Sequence, residues 1–417
     1  MKECICDVAV IGAGPAGLAA ALAAKKAGAE HVIIVERDER LGGILQQCIH
    51  PGFGLNYFNE ELTGPEYGQR FIDRVNENGI QVMTNTTALE LHKNQLMCVN
   101  TAGMISVNAG AIVLAMGCRE RTRFNLMIPG SRPAGIYTAG TAQRLLNIQG
   151  QMVGKNIVIL GSGDIGMIMA RRLTLEGAKV KAVVEIMPYL AGLTRNKVQC
   201  LDDFGIPLML SHTVCDITGV DRVESVTVAP VDEKRKPIKE KAEIVECDTL
   251  LLSVGLIPEN ELTKHGGIAL SQITKGAIVN QYMQTQIENV FACGNVLHVN
   301  DLVDNVTRES EAAGRSAALY AMDKLPEGTP VEVISGENIR YVCPQYVVPV
   351  DNEDVKLFFR VSAPNIGARL QAESGGKELY SRKTISVNPG EIESVTIKAQ
   401  DVGALKFEIL VNAKQGE

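Results

Sequence analysis

Two glycine-rich turns, each set between a strand-like run and a helix-like run, constrain this chain more than any other feature. Val8-Ala9-Val10-Ile11 is a short β-branched run suited to a buried parallel strand, and it leads directly into Gly12-Ala13-Gly14-Pro15-Ala16-Gly17. An Ala- and Leu-rich helix is predicted over Leu18 to Ala27, stopped at Gly28, followed by a strand from His31 to Val35 that ends in Glu36. The pattern then returns. Asn156 to Leu160 reads as a strand, Gly161-Ser162-Gly163-Asp164-Ile165-Gly166 as the turn, and Met167 to Leu175 as the helix. Gly177 is its stop, and the strand from Lys179 to Val184 ends in Glu185. In each copy the first glycine permits a tight turn, the second lets a pyrophosphate approach the backbone, and the third lets the helix pack on the strand. The helix N-terminus, carrying about half a positive charge, faces the phosphates. Glu36 and Glu185 stand equally far beyond their third glycines, where a carboxylate accepts hydrogen bonds from a ribose diol. An acid there repels a 2′-phosphate, so the second site is expected to take NAD rather than NADP. The predicted fold class is α/β, with two Rossmann-like dinucleotide-binding domains.

A chain of 417 residues suggests two or three domains at roughly 150 residues each. With 46% hydrophobic and 21% charged residues it is a folding sequence and not a disordered one. Its net charge of −7 argues against nucleic acid or an anionic membrane surface as the main partner. The N-terminal apolar run is broken by Gly12 and Gly14, and no apolar stretch reaches the length of a leader or a membrane span, so a cytoplasmic location is expected. The ten cysteines are scattered, with no C-x-x-C pair, which argues against iron–sulfur or zinc ligation; no metal is expected.

These residues resemble the two-dinucleotide-binding-domain flavoproteins, the superfamily of pyridine nucleotide–disulfide oxidoreductases. Gly110 to Gly117 (GAIVLAMG) resembles the strand and turn returning from the FAD domain, and Leu251 to Pro258 (LLSVGLIP) the matching return from the NAD domain. Thr285 to Asn295 (TQIENVFACGN) resembles the second FAD motif, with Asn295 where an aspartate is usual. An amide there still hydrogen-bonds a ribityl hydroxyl, without the charge. The likeness covers about residues 5 to 335. It implies FAD on Gly12, Gly14, Pro15, Ala16 and Gly17, with Glu36 at the ribose and Arg37, Gly42 and Gly43 among the binding residues. Ala115, Gly117, Gly294 and Asn295 complete that set. NAD(H) or another adenine nucleotide is implied on Gly161, Gly163, Asp164, Ile165, Gly166, Glu185 and Gly255.

A narrower likeness rests on Gly42 to Gly54 (GGILQQCIHPGFG), Gly117 to Arg123 (GCRERTR), Pro133 to Gln143 (PAGIYTAGTAQ) and Asp301 to Asn305 (DLVDN). These resemble α-type subunits of dye-linked amine and proline dehydrogenases, opine oxidase and hydrogen cyanide synthase. They also resemble flavoproteins paired with glycerol-3-phosphate- or hydroxyacid-oxidising subunits. The implied function is an FAD-dependent oxidoreductase, NADH-linked or an electron-transfer subunit, acting on a small molecule in an oligomer with a partner dehydrogenase or oxidase subunit. The alternative is a non-catalytic nucleotide-binding scaffold within such a complex.

Two departures bear on chemistry. The disulfide enzymes place two cysteines shortly after the glycines that match Gly42-Gly43, and here those places hold Leu45 and His50, with Cys48 between. A dithiol relay is therefore excluded. Cys48 and His50 remain as candidate catalytic residues, a reactive thiolate or an acid–base imidazole, against the plainer reading that both line a flavin pocket. A thiol-dependent peroxidase or reductase built on Cys48 alone is a third reading. The nicotinamide-using members often carry an acid two positions past the third glycine; here it is Ile168.

The expected FAD domain is split into 1–115 and 260–335, with the NAD-type domain and its linkers inserted as 116–259. Alternating strand-like runs around Leu357–Val361, Lys383–Val387 and Val395–Lys398 make 338–417 a small all-β module, with docking as its default role.

Overall fold

The computed structural model describes residues 1–403 and 409–415, so the last stretch of the expected β module lies partly outside the described residues. The chain divides into two compact units, one made of residues 1–118 and 258 onward, the other of 119–257.

The first unit is organised on a seven-stranded sheet. The strand Lys2–Ile11 lies parallel between Val32–Val35 and Gly103–Leu114, and the latter also pairs parallel with Val290–Ala292. Val8, Ala9 and Val10 are wholly buried, as strands covered on both faces must be. The helix Pro15–Ala27 begins three residues earlier than the pattern predicts, because proline at its first position is already set for helical backbone. Gly28 ends it in the left-handed region at φ 113°, its N–H returned to the carbonyls of Ala24 and Lys25. Against this helix lies Val303–Ala321, and their closest approach falls at Gly314, where a Cβ would stand 1.9 Å from the Ala20 carbonyl oxygen.

The tail is built of strands in this same unit. Val331–Ser335 joins a five-stranded sheet with Tyr346–Val347, Ile409–Gln415, Ala368–Ser374 and Lys377–Lys383. Ile339–Cys343, Asp354–Val361 and Glu393–Lys398 form a three-stranded antiparallel sheet. Alternate residues such as Val355, Leu357 and Phe359 enter a separate apolar core with Leu370, Val395 and Val411. The first strand of this module starts at Val331, ahead of residue 338, since its edge pairs with strands from the far end of the chain.

The second unit repeats the motif. Its sheet is all parallel, in the order Ile136–Thr138, Thr249–Leu252, Asn156–Leu160, Lys179–Glu185, Leu208–Leu210. The helix Asp164–Leu175 packs on one face with Met167, Met169 and Leu173. A three-stranded antiparallel meander (His212–Thr218, Ser225–Pro230, Glu243–Glu246) covers the other with Val214, Val226 and Val228. Among the described residues no helix is long and apolar enough to cross a membrane, and no group of three or more His, Cys, Asp or Glu is arranged to hold a metal.

Candidate functional site

The first glycine turn follows directly from the end of the strand. Gly12 sits at φ 103°, and a Cβ there would lie 2.5 Å from the carbonyl oxygen of Ala115, which is how Ala115 enters the site. A Cβ on Gly17 would lie 1.7 Å from the carbonyl oxygen of Gly12, so the helix seats on the turn through backbone alone. Gly14 differs from both: its added Cβ would meet nothing within 4 Å. It caps the helix with no side-chain hydrogen bond, which leaves first-turn N–H groups for an anion. Pro15 has no N–H to offer, so Ala16 supplies the first amide beyond the cap.

Glu36 is 8% exposed, and its carboxylate is already at work within the protein. Oε2 accepts the Ala13 N–H at 2.6 Å and Oε1 the Asp38 N–H at 2.8 Å. The chain then crosses back over the turn: Gly42 N–H donates to the Ala13 carbonyl at 2.8 Å, and a Cβ on Gly43 would press on Gly14 Cα at 2.9 Å. Arg37 points to solvent. Gly294, at φ 74°, closes the other side, since its Cβ would meet Ala16 Cβ at 2.7 Å. Asn295 is held by its own surroundings, accepting Asn300 N–H at 2.9 Å and donating towards the Cys118 sulfur at 3.7 Å. Gly117 adopts φ 72° with open space around its Cβ direction.

The second turn reproduces these contacts almost one for one. Gly161 sits at φ 98°, and its Cβ would lie 2.1 Å from the Ser253 carbonyl oxygen. Ser253 Oγ also accepts the Gly166 N–H at 3.1 Å and crowds the Gly163 Cβ direction at 3.1 Å. Glu185, 4% exposed, accepts Ser162 N–H at 2.9 Å, Ser162 Oγ–H at 2.8 Å and Met187 N–H at 2.9 Å. Gly192 N–H donates to the Ser162 carbonyl at 3.1 Å, the counterpart of Gly42 on Ala13. Asp164 opens the helix where Pro15 opens the first; its Oδ1 takes Leu193 N–H at 2.8 Å and Asn196 Nδ2–H at 2.7 Å. Ile165 is half-buried, and Ile168 packs against the apolar cluster behind the helix. Gly255 has φ 97°, and its carbonyl accepts the Arg121 N–H at 3.0 Å.

Both turns fit the diphosphate of a dinucleotide: a left-handed glycine, a helix N-terminus without a side-chain cap, and a buried acid on the ribose side. The first is the more open, by the empty space at Gly14. Residues that the motif spacing does not reveal are Ser253, Asn196 and the loop from Ala191 to Leu193, because they reach the turn only through the fold. Along the edge strand Ile136–Thr138 the second unit has a groove of ≈ 770 Å³, lined in part by Arg123, Phe124, Met127, Tyr137 and Thr138.

Cys48 and His50 prove unequal. Cys48 is 7% exposed, beneath the N-terminus of the helix Gly64–Glu77, whose Gly64 N–H donates to the Cys48 carbonyl at 2.8 Å. Its thiol donates to the Ile44 carbonyl at 3.3 Å, and burial pushes its pKa up from 9.0 to about 12. A thiol that holds its proton in this way favours the packing reading over the nucleophile. At pH 8, iodoacetamide is expected to modify Cys48 roughly a thousandfold more slowly than an ordinary thiol. Peptide mapping after brief alkylation of the native protein measures this, and early labelling of Cys48 would contradict it. His50 is half-buried, its ring centroid 5.1 Å from that of Phe53. The following loop is pinned by Asp304, whose carboxylate accepts Gly54 N–H at 3.2 Å and Asn56 N–H at 2.8 Å. Glu311 accepts Tyr57 O–H at 2.5 Å. Both acids therefore hold the loop that follows His50.

The profile of the pyridine nucleotide-disulphide oxidoreductase family matches residues 6–317. Among characterised proteins, the chain is 26% identical over 337 residues to NADH oxidase of Methanocaldococcus jannaschii, covering 74% of this chain and 69% of that one. It is 27% identical to hydrogen cyanide synthase subunit HcnB of Pseudomonas protegens, over 74% and 69% of the two chains. An opine oxidase subunit of Agrobacterium tumefaciens is 24% identical, over 76% and 66%. Among solved structures, thioredoxin reductase of T. acidophilum superposes with a TM-score of 0.62 at 21% identity, over 76% of this chain and 99% of that one. L-proline dehydrogenase from P. horikoshii does so at 0.54 and 18% identity, over 77% and 56%. At these identities the superpositions speak to the fold.

Proposed function

We propose a specific role from one premise: this chain belongs to the pyridine nucleotide-disulphide oxidoreductase family. It is an FAD-dependent, NAD(P)-linked oxidoreductase. Within that class, the proposal is that it carries electrons without thiol chemistry, between a nicotinamide nucleotide and a partner dehydrogenase or oxidase subunit. The observation that carries this is the repeated cradle beside a single buried cysteine. Glu36 and Glu185 brace matching turns, while Cys48, the one cysteine between Gly42 and Gly54, has its proton held.

In this reading residues 1–115 and 260–335 hold FAD and 116–259 the second nucleotide. Gly12 and Gly17 set the turn, and Gly14 leaves room for the diphosphate. Glu36 fixes the loop through Ala13 while its remaining lone pairs face the ribose. Gly294 and Asn295 close over Ala16. Bound FAD supplies a two-electron carrier that takes up or gives up a hydride equivalent. Asp304 and Glu311 hold the loop that follows His50, leaving His50 as the proton-handling candidate and Cys48 as structural support. Glu185 keeps a carboxylate beside the second ribose, which favours NADH over NADPH. The subunit names of two relatives support a heteromeric assembly.

A second reading is favoured by Ile168: an apolar side chain packed against the core, at the place where nicotinamide-using relatives often carry an acid, suits a nucleotide bound without hydride transfer. Anaerobic stopped-flow mixing with NADH separates the two. Rapid bleaching of the visible flavin band is expected, faster than with NADPH. A flavin that stays oxidised under NADH would overturn the nicotinamide-linked role and leave electron exchange to the partner.

A further inference from the structure

Four side chains form a buried line that the nucleotide cradles do not account for, and it runs from the flavin-side loop into the C-terminal β module. Gly294 N–H donates to Glu309 Oε1 at 2.5 Å. Glu309 Oε2 meets His298 Nε2 at 2.7 Å, and both side chains are 1% exposed. His298 Nδ1 lies 3.3 Å from the Tyr341 hydroxyl. Tyr341 and Arg360 are cross-strand partners in the module's three-stranded sheet, which sets the Arg360 charge beside the Tyr341 hydroxyl. Arg360 pairs with Asp301 and donates to the Val299 and Pro389 carbonyls, each at 3.0 Å. Asp301 in turn accepts the Ile392 N–H at 2.6 Å.

The direction of the line follows from its chemistry. Arginine only donates and an ionised carboxylate only accepts. The Tyr341 hydroxyl faces His298 Nδ1, His298 Nε2 faces Glu309, and Glu309 also accepts the Gly294 N–H, while the Arg360 guanidinium donates to Asp301. Every group named is then satisfied, and hydrogen bonds aligned head to tail reinforce one another in a poorly screened interior. A buried histidine and glutamate unconnected to any solvent-facing site are costly to keep. Their terminus is informative: the one backbone amide they hold belongs to Gly294, where the chain presses on Ala16 and turns into Asn295.

We infer that Tyr341 and Arg360 of the β module are positioning residues for the flavin, acting through His298 and Glu309 on the Gly294–Asn295 backbone. This rests on FAD occupying the first cradle, and it gives the module a task inside the chain, whatever it docks outside.

The test uses the full-length protein, stripped of flavin and titrated with FAD by fluorescence quenching. Tyr341→Phe keeps the ring and leaves His298 Nδ1 unpaired, and is expected to raise the FAD dissociation constant about fivefold. Glu309→Gln is expected to raise it about thirtyfold, since a charge-assisted contact goes. In the double variant the two effects share one line, so it should resemble Glu309→Gln within about twofold and fall short of the product of the singles. The visible circular dichroism of bound flavin should change in Tyr341→Phe, a signal that reports the cofactor's surroundings and not the fold. Wild-type affinity and spectrum in Tyr341→Phe, or multiplicative effects in the double variant, overturn the inference. A wild-type chain that binds no FAD overturns the site assignment first, and this with it.

Discussion

Alanine in place of Gly14 is expected to leave the flavin-free protein with an unchanged melting temperature while weakening FAD binding about a hundredfold, some 2.7 kcal/mol. The backbone at Gly14, φ −73° and ψ −175°, is extended and open to any residue. Apart from its chain neighbours, its added methyl meets no atom of the protein within 4 Å. The only thing that methyl displaces is a ligand lying against the turn. Gly17→Ala is the contrasting case. There the new carbon would stand 1.7 Å from a backbone oxygen that no rotamer can move, so the helix must lift off the strand. A loss of about 3 kcal/mol in folding stability is expected, with flavin binding lost alongside. Thermal melts of the flavin-free variants and FAD titrations measure both. A Gly14→Ala protein that binds FAD like wild type would mean that no diphosphate rests on this turn.

Alkaline pH should unfold the protein through its buried thiols. Burial, the largest cause in each case, pushes Cys6, Cys48 and Cys293 up from 9.0 to about 12, and Cys98 and Cys247 to about 11. In the unfolded chain these groups ionise near 9.0, while the folded chain keeps their protons. Below about pH 9 both states are protonated and stability does not respond. Above it the unfolded state binds fewer protons than the folded one, so stability falls as pH rises, until the folded groups ionise near about 11 to 12. Each group adds up to about 1.4 kcal/mol per pH unit to the slope. Five of them offset a folding stability of about 5–15 kcal/mol within roughly two units. Urea midpoints under reducing conditions should be flat from about pH 7 to 8.5 and drop steeply between about 9.5 and 10.5. A midpoint as high at pH 10.5 as at pH 8 would mean the thiols are not held in the apolar interior.

The two glycine turns were legible because their requirements are local. Gly12 and Gly161 need a left-handed backbone, and Gly17 needs bare contact with a residue a few places away. Those demands are written in adjacent letters, so the strands, helices, turns and terminal acids can be located along the chain from its residues alone. The pairing of Glu36 and Glu185 with their own turns was half legible: their placement follows from spacing, while their bonds to Ala13 and Ser162 do not. Cys48 shows the limit from the other side. Its neighbours in sequence suggested a site, while its burial under Gly64, which only packing decides, favours a supporting role.

What the sequence by itself determined is the repeated strand–turn–helix unit and, through it, two glycine turns of a form that fits a dinucleotide. Tertiary structure alone decided that Gly314 brings one helix onto Ala20, that Ser253 serves the second turn, and that Tyr341 reaches His298 and Glu309 beside Gly294. The physical reason is range. Backbone sterics act between neighbours in the chain, whereas a buried polar group must find its partner in space, and that partner's number in the sequence carries no trace of the meeting.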